Sequence, residues 1–284
     1  MTNARPRLDF IVIGAIKAAT TWVQAQLGNH PDVFVPDIEP HFFTRDHDRG
    51  WDWYRSLFPD EKAQGTLWGE KTADYLAKPE ATDHIAREYP QARLIVQLRN
   101  PIDRAYSDYK MLYRRGTVSG LPEEYLSSPG SAQPRFLNDG LYARHLTRWL
   151  EQFSPEQLLV FTFDDVRDTP RETFQDVCDH IGARFHYDPD FASRKQNDSK
   201  AQHLPLPVRK ALSPLKPLAH PYRDSAVFKA TRGLFAKKIS YPPLSADLRQ
   251  RLADFYAYDV EELGKMLNRD LSHWLDLEKR VDAA

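Results

Sequence analysis

Cysteine is nearly missing from this sequence: the chain has one, Cys178, among 284 residues. A single cysteine excludes an intramolecular disulfide and a zinc site made of several cysteines. Its place in FQDVCDHIGA, on an apolar helical face, favours packing in the core over a role as a nucleophile. Since nothing in the composition indicates an oxidising compartment, we expect a cytoplasmic protein.

Long hydrophobic runs and an excess of one charge are missing as well. No stretch approaches the roughly 20 apolar residues of a membrane span, and the N-terminus MTNARPRLDF lacks the apolar segment of a signal peptide. Lys and Arg number 39 and Asp and Glu 40, so the net charge of -1 gives no indication of nucleic-acid binding. Hydrophobic residues make up 41% and aromatic residues 12% of the chain, which predicts a globular protein with a substantial core.

Short apolar runs alternate with amphipathic segments along most of the chain. Buried strands are expected in LDFIVIGA, DVFVP, ARLIVQLRNP and EQLLVFTFDDV. Helices are expected in TTWVQAQLGNHP, KPEATDHIAREYPQ, IDRAYSDYKMLYRRG, LYARHLTRWLEQF and PRETFQDVCDHIGA. This alternation predicts a single α/β domain over residues 1–284, with a mainly parallel sheet flanked by helices. Ligands bind such sheets at the carboxyl ends of strands, so the residues after Ile13, Leu98 and Phe163 are the first candidates.

Residues 203–243 differ from the rest because they are rich in proline and in positive charge. Between positions 209 and 238 there are eight Lys or Arg residues against one acid, Asp224. This segment is either a solvated loop or a flap over an anionic acceptor, and it could also contact an acidic membrane surface. Helical periodicity returns in the tail that begins ADLRQRL, which predicts a C-terminal helix.

The turn GAIKAATTW, which begins at Gly14, has the composition of an anion-binding loop. It lies between a strand end and a helix start, where backbone N–H groups and the helix N-terminus favour a phosphate or sulfate. Lys17 adds a positive charge, and Thr20 and Thr21 add hydroxyl donors. An ordinary strand–helix turn with an incidental lysine is the alternative. The spacing differs from G-x-x-x-x-G-K-[ST] of nucleotide triphosphatases, because the lysine follows the glycine by only three residues.

A second anion site is predicted at the end of the strand LIVQL. Arg99 follows that strand and offers a forked donor, and Ser107 adds a hydroxyl from the next helix. A surface arginine before a proline-started helix is the alternative. Two anion sites at two strand ends suit a nucleotide with phosphates at both ends. The carboxylates Asp164 and Asp165, at the end of another strand, leave a magnesium-dependent kinase as a weaker alternative.

The motifs GAIKAATTW and RNPIDRAYSDY resemble the 5′-phosphosulfate loop and the 3′-phosphate motif of sulfotransferases that use 3′-phosphoadenosine 5′-phosphosulfate (PAPS). Five further segments are similar to the glycosaminoglycan branch, the heparan sulfate N- and 3-O-sulfotransferases: IEPHFFTRD, WDWY, GEKTADYL, GLYARHLTRWLEQF and DVEELGKMLNRDLSHW. The resemblance covers about residues 8–200 and 245–275 in the family's order. It implies a P-loop-kinase-like sulfotransferase fold. It also implies transfer of a sulfuryl group from PAPS to a hydroxyl or amine, expected to be on a carbohydrate, with no metal.

The resemblance also implies a role for individual residues. Glu39 would be the base, His41 a second acid–base or orienting group, and Lys71 a cation near the sulfate and the acceptor. Lys17 would neutralise the leaving 5′-phosphate. The implied cofactor-binding residues are Gly14, Lys17, Ala18, Ala19, Thr20, Thr21, Arg99, Ser107, Tyr142 and Lys200.

Two positions depart from the family's pattern. Ala19 stands where the family often has glycine, so we expect a stiffer or differently turned loop. Ile38 stands where the sugar-acting members often have lysine or a second acid, which leaves a small natural product or a lipid-linked alcohol as the alternative acceptor. A non-catalytic binding module is a further alternative, but it would not need to keep all four of Lys17, Glu39, Lys71 and Arg99.

Overall fold

The computed structural model describes residues 5–59, 66–189 and 239–277. Lys200 and the basic segment 209–238 lie outside these ranges, so what the sequence predicts for them stays a prediction. The same holds for the single-domain organisation of the whole chain. Among the helices in the described ranges, none combines the length and the hydropathy that crossing a membrane requires.

Five parallel strands form the centre of the fold. They are β1 (Phe10–Gly14), β2 (Val33–Phe34), β3 (Leu67–Lys71), β4 (Arg93–Leu98) and β5 (Leu158–Thr162). Their order across the sheet is β2-β3-β1-β4-β5, and every neighbouring pair runs parallel. The central strands β1 and β4 are almost entirely apolar and buried, as expected of a sheet covered on both faces. The predicted α/β fold is confirmed.

Helices connect the strands and cover the sheet. In the described ranges they are α1 (Thr21–Gly28), α2 (Gly50–Arg55), α3 (Pro79–Glu88), α4 (Pro101–Arg115), α5 (Glu123–Leu126), α6 (Arg135–Asn138), α7 (Tyr142–Leu150), α8 (Phe163–Asp168), α9 (Pro170–Ile181) and α10 (Ala246–Leu267). Proline begins α3, α4 and α9, where its missing N–H would have no helical partner. Asn100 caps α4, because its side chain accepts from the N–H groups of Ile102 and Asp103.

The sheet separates two apolar cores. The larger one contains side chains of α3, α4, α7 and α10, and the smaller one contains side chains of α1, α8 and α9. Cys178 is buried in the smaller core, as the sequence predicts, and Trp22 is buried there as well. The indole of Trp22 meets the edges of Phe161 and Phe174, with ring centres 6.4 and 6.0 Å away.

Two details of the sheet differ from the sequence prediction. Strand β3 was not predicted, because LWGEK contains a glycine and two charged residues. The strand EQLLVFTFDDV was predicted too long: β5 ends at Thr162, where a capping box with Asp165 begins α8. Gly69 is required in β3, because a Cβ there would lie 2.2 Å from the ring of Phe10.

Candidate active site

The loop between β1 and α1, residues 15–20, is called the Lys17 loop and lies at the carboxyl edge of the sheet. Lys17 and Ala19 both have a φ of 66°, in the left-handed region. Thr20 precedes the first helical residue, and its side chain makes no capping hydrogen bond. The N–H of Trp22 already donates to the carbonyl of Ala19 at 2.9 Å. The other N–H groups at the start of a helix have no partner within it, so they and this hydroxyl can bind an external anion. Ala19 therefore keeps a turn that glycine would adopt at lower steric cost.

Three other residues of the predicted loop have distinct positions. Gly14 lies so close to the segment after β3 that an added Cβ would be 2.6 Å from the Cβ of Leu76. Ala18 is fully buried, whereas Thr21 is exposed. Gly14 and Ala18 thus serve packing, and only their backbone could contact a ligand.

Positive side chains surround Lys17. Burial lowers the pKa of its ammonium, Asp108 acts in the opposite direction, and the guanidinium groups of Arg114, Arg99 and Arg115 lower the pKa further. Three guanidinium groups and one carboxylate thus act on a half-buried ammonium, which gives this part of the sheet edge an excess of positive charge. A bound anion would relieve their mutual repulsion.

Helix α4 contributes to this positive region along its length. The Nζ atom of Lys17 lies 3.9 Å from the Sδ atom of Met111 on α4. One residue before Met111, burial lowers the pKa of Lys110, and the charge of Arg99 lowers it further. Lys110 is a cation of the site that the sequence analysis missed, although it directly follows the quoted motif RNPIDRAYSDY.

Arg99 directly follows β4, and two aromatic residues contact it. Its carbonyl accepts a hydrogen bond of 2.9 Å from the hydroxyl of Tyr142. Its guanidinium lies 5.2 Å from the ring centre of Phe163, which follows the adjacent strand β5. Tyr142 is fully buried, so it supports the backbone of Arg99, and Ser107 is half-buried on α4.

A second group of site residues lies beside the Lys17 loop. Lys71 ends β3, and Thr72 N–H donates to the carbonyl of Val12 on β1 at 3.0 Å. The ammonium of Lys71 forms an ion pair with Glu39, and the N–H of Ala73 donates to the same carboxylate at 3.1 Å. The Lys71 side chain is 4% exposed and that of Glu39 33% exposed. A buried cation therefore holds a carboxylate that solvent still reaches.

His41 completes this second group. Its Nδ1 lies 2.9 Å from Oδ1 of Asp74, and its Nε2 lies 4.0 Å from Oε2 of Glu39. An Nδ1–H that donates to Asp74 fixes the tautomer and directs Nε2 toward Glu39. The sequence analysis did not identify Asp74. The signal that could have identified it is its position in GEKTADYL, three residues after Lys71.

The neighbouring strands bring the predicted residues together. Strands β3, β1 and β4 are adjacent, and Lys71, the Lys17 loop and Arg99 follow their carboxyl ends in that order. The base candidate Glu39 joins them through its contact with Lys71. Of the predicted site, Tyr142 is set back behind Arg99, and Lys200 lies beyond the described ranges.

The carboxylates at the end of β5 are engaged in ion pairs. Asp164 contacts Arg167 at 2.8 Å and accepts from the indole N–H of Trp274 at 3.1 Å. Arg269 donates two hydrogen bonds of 2.7 Å to Asp165. Burial acts to raise the pKa of this carboxyl, but the bonds from Arg269 and Thr162 hold it below the ordinary value. Both carboxylates are thus paired with the cationic side chains of arginines rather than directed together at one point where a magnesium ion could bind.

Comparison with known proteins identifies relatives of the chain. A family model described as "Sulfotransferase family" matches residues 60–187. Heparan sulfate glucosamine 3-O-sulfotransferase 6 of Mus musculus is 33% identical over 180 residues, which are 61% of this chain and 52% of that protein. The bifunctional heparan sulfate N-deacetylase/N-sulfotransferase 3 of Mus musculus is 28% identical over 304 aligned positions, 95% of this chain and 31% of that protein. The chain thus spans a third to a half of the length of these relatives.

A solved structure extends the similarity to the whole fold. The crystal structure of a sulfotransferase from Alicyclobacillus acidocaldarius is 26% identical and superposes with a TM-score of 0.68. The match covers 95% of this chain and 100% of that one. The predicted resemblance to sulfotransferases, including the heparan sulfate branch, is confirmed, and so is the sulfotransferase fold. These relatives support the interpretation of the chain as a transferase.

Proposed function

We propose that this relative of the sulfotransferases transfers a sulfuryl group from PAPS to a hydroxyl of a carbohydrate. One observation carries the proposal: an accessible carboxylate, Glu39, held by a buried lysine, Lys71, stands beside a cation-rich loop at three adjacent strand ends. The names of the relatives, which act on heparan sulfate glucosamine, support a glycan as acceptor.

The residues around the Lys17 loop fit a donor with phosphates at two ends. PAPS supplies the activated sulfuryl group. Lys17, the hydroxyls of Thr20 and Thr21 and the first N–H groups of α1 would bind the 5′-phosphosulfate. Arg99 and Ser107 would bind the 3′-phosphate. Burial first, and then the nearby charges of Arg114, Arg99 and Arg115, lower the pKa of Lys17, and these cations favour a ligand with several negative charges.

Glu39 would act as the base. An alcohol has a pKa far above neutral, so transfer is faster when a positioned carboxylate accepts its proton. The ion pair with Lys71 and the N–H of Ala73 fix both carboxylate oxygens, which removes freedom of rotation before the reaction. His41, oriented by Asp74, would orient the acceptor next to the carboxylate.

One observation next to Glu39 favours a different class of acceptor. Ile38, directly before the proposed base, is 52% exposed. It lines a cavity of about 500 Å³ together with apolar residues that include Val35, Pro36 and Leu57. Such a surface suits a small natural product or a lipid-linked alcohol better than a polyanionic sugar. A transfer assay with radiolabelled PAPS, desulfated heparan sulfate and a panel of uncharged alcohols separates the two classes.

The first experiment addresses the donor. Isothermal calorimetry compares 3′-phosphoadenosine 5′-phosphate (PAP), ADP, and ATP with magnesium. Tight binding of PAP alone supports the PAPS site. A preference for ATP with magnesium overturns it and makes a kinase the working function.

The location is proposed on composition alone. We expect a cytoplasmic protein because the chain has a single cysteine. Cell fractionation checks this expectation.

A further inference from the structure

Residues 39–43, which include the proposed base Glu39, are called the base segment. One short stretch of chain, residues 71–75, holds this segment in place. Besides the contacts of Lys71 and Ala73 with Glu39, two backbone groups of the base segment are fixed by hydroxyls. The N–H of His41 donates to Oγ1 of Thr72 at 3.3 Å, and the N–H of Phe43 donates to the hydroxyl of Tyr75 at 3.2 Å. The partners in these two hydrogen bonds are 31 and 32 positions apart in the sequence.

Both hydroxyls donate in turn to one carboxyl group, that of Glu70. Thr72 donates to its Oε2 at 3.2 Å, and Tyr75 donates to its Oε1 at 3.2 Å. Tyr54 also donates to Oε1, at 2.8 Å. Glu70 is completely buried. A hydroxyl has one proton, so one that donates to Glu70 must present its lone pairs to its other neighbour, here a backbone N–H.

We propose that Glu70 is a positioning residue, which fixes the base segment through Thr72 and Tyr75 and thereby sets the orientation of Glu39. The inference rests on the proposed function, in which Glu39 accepts the proton of the acceptor. Glu70 faces the opposite side of β3 from Lys71, since successive residues of a strand alternate between the faces. Lys71 therefore holds the carboxylate of Glu39, and Glu70 holds the backbone that follows it.

Isolation of Glu70 in the core supports this role. A buried carboxyl group without donors is strongly destabilising, and here three hydroxyls satisfy it. Burial raises its pKa to about 8, against the effect of the three donors. An apolar residue in its place would leave the hydroxyls of Tyr54, Thr72 and Tyr75 without their buried acceptor, so the hydroxyls that fix the base segment depend on Glu70.

The chain offers a matched pair of variants to test the proposal. Tyr75→Phe and Tyr54→Phe each remove one hydroxyl from Oε1 of Glu70, and both tyrosines are fully buried. Only Tyr75 also accepts from the base segment. With radiolabelled PAPS and desulfated heparan sulfate, we expect Tyr75→Phe and Thr72→Val to lower kcat about tenfold, with PAP affinity unchanged. Tyr54→Phe should stay within about twofold of the wild type, at a comparable loss of Tm.

If the three variants lower kcat to the same extent, or if PAP affinity falls with kcat, Glu70 has only a structural role and the proposal is overturned. A second measurement does not depend on turnover. Hydrogen exchange of the amides of His41 and Phe43 should accelerate in Thr72→Val and in Tyr75→Phe, respectively, and not in Tyr54→Phe. A wild type that transfers no sulfuryl group refutes the proposed function, whereas unchanged amide exchange in Tyr75→Phe refutes the positioning by Glu70.

Discussion

The two halves of the candidate site are constructed differently. The donor half consists of the Lys17 loop and the start of α4, and each part is a continuous stretch of sequence that follows one strand. The acceptor half consists of the Glu39 segment and the end of β3, which meet only in the folded chain. The donor half is crowded with positive charge, whereas the acceptor half pairs each charge with a partner. The difference suggests that one half binds by charge and the other acts by orientation.

The largest expected effect concerns the acceptor half alone. Glu39→Gln removes the proton acceptor, so kcat should fall by about 100-fold or more. PAP affinity should not change, because the donor half is intact. Steady-state kinetics and calorimetry on the same preparation measure both quantities. Asp37→Asn is the matched control, since it removes an exposed carboxylate two residues away. A Glu39→Gln enzyme with full kcat would show that the base lies elsewhere.

A second change addresses the donor half in the same way. Arg99→Ala should weaken PAP binding by about 10- to 100-fold, because a charge-assisted hydrogen bond contributes about 1.5–3 kcal/mol. ADP lacks the 3′-phosphate, so its affinity should change far less and serves as the control ligand. Calorimetry with both nucleotides checks this expectation. Equal losses for PAP and ADP would place Arg99 away from the 3′-phosphate.

The buried carboxyl of Glu70 predicts a pH dependence of stability. Burial raises its pKa from 4.5 to about 8, so the folded protein retains a proton that the unfolded chain releases between these values. This contribution is fully present below pH 4.5 and is lost as the pH rises through 8, by up to about 1.4 kcal/mol per pH unit. The groups around the carboxyl are the hydroxyls of Tyr54, Thr72 and Tyr75 and the charge of Asp74.

Glu70→Gln removes this titration, and urea unfolding measures the result. Between about pH 5 and pH 8, the free energy of unfolding of the variant should fall less steeply than that of the wild type. Parallel slopes for the two proteins would show that Glu70 does not hold the proton.

The smallest expected effect returns to the donor loop. Ala19 has a φ of 66°, which is unfavourable for a residue with a Cβ. Ala19→Gly should therefore stabilise the protein by about 0.5 kcal/mol, after allowance for the greater freedom of glycine in the unfolded chain. Ala18→Gly is the control, and it should destabilise the protein, because Ala18 is buried and is not among the residues with positive φ. Thermal unfolding that ranks the variants the other way would refute the steric explanation.

The same comparison explains what could be predicted from the sequence. The donor half could be located from GAIKAATTW and RNPIDRAYSDY, because strand, loop and helix start follow one another directly in the chain. The parallel sheet could also be predicted, because the apolar strands β1 and β4 are each one continuous stretch of sequence followed by a helix. In the acceptor half, the roles of Glu39, His41 and Lys71 came only from the resemblance to a family.

The contacts that define the acceptor half could not be predicted from local pattern. Strand β3 contains Glu70 and Lys71, and hydrophobic periodicity treats such residues as exposed. Both are buried because partners distant in sequence satisfy them, Glu39 for Lys71 and Tyr54 for Glu70. Periodicity contains no information about such partners, so β3, Asp74 and the role of Tyr75 were missed.

The strand order has a consequence for the redesign of this protein. Strands β2 and β3 lie on one side of β1, while β4 and β5 lie on the other. Under the proposed function, we therefore expect that acceptor preference can be exchanged between homologues by grafting, with the donor half left untouched. The graft must include both residues 36–43 and residues 70–75, because these two stretches contact each other residue by residue. A chimaera that receives only one of these stretches would lose the hydrogen bonds between them, so its residues 36–43 would no longer be held in place.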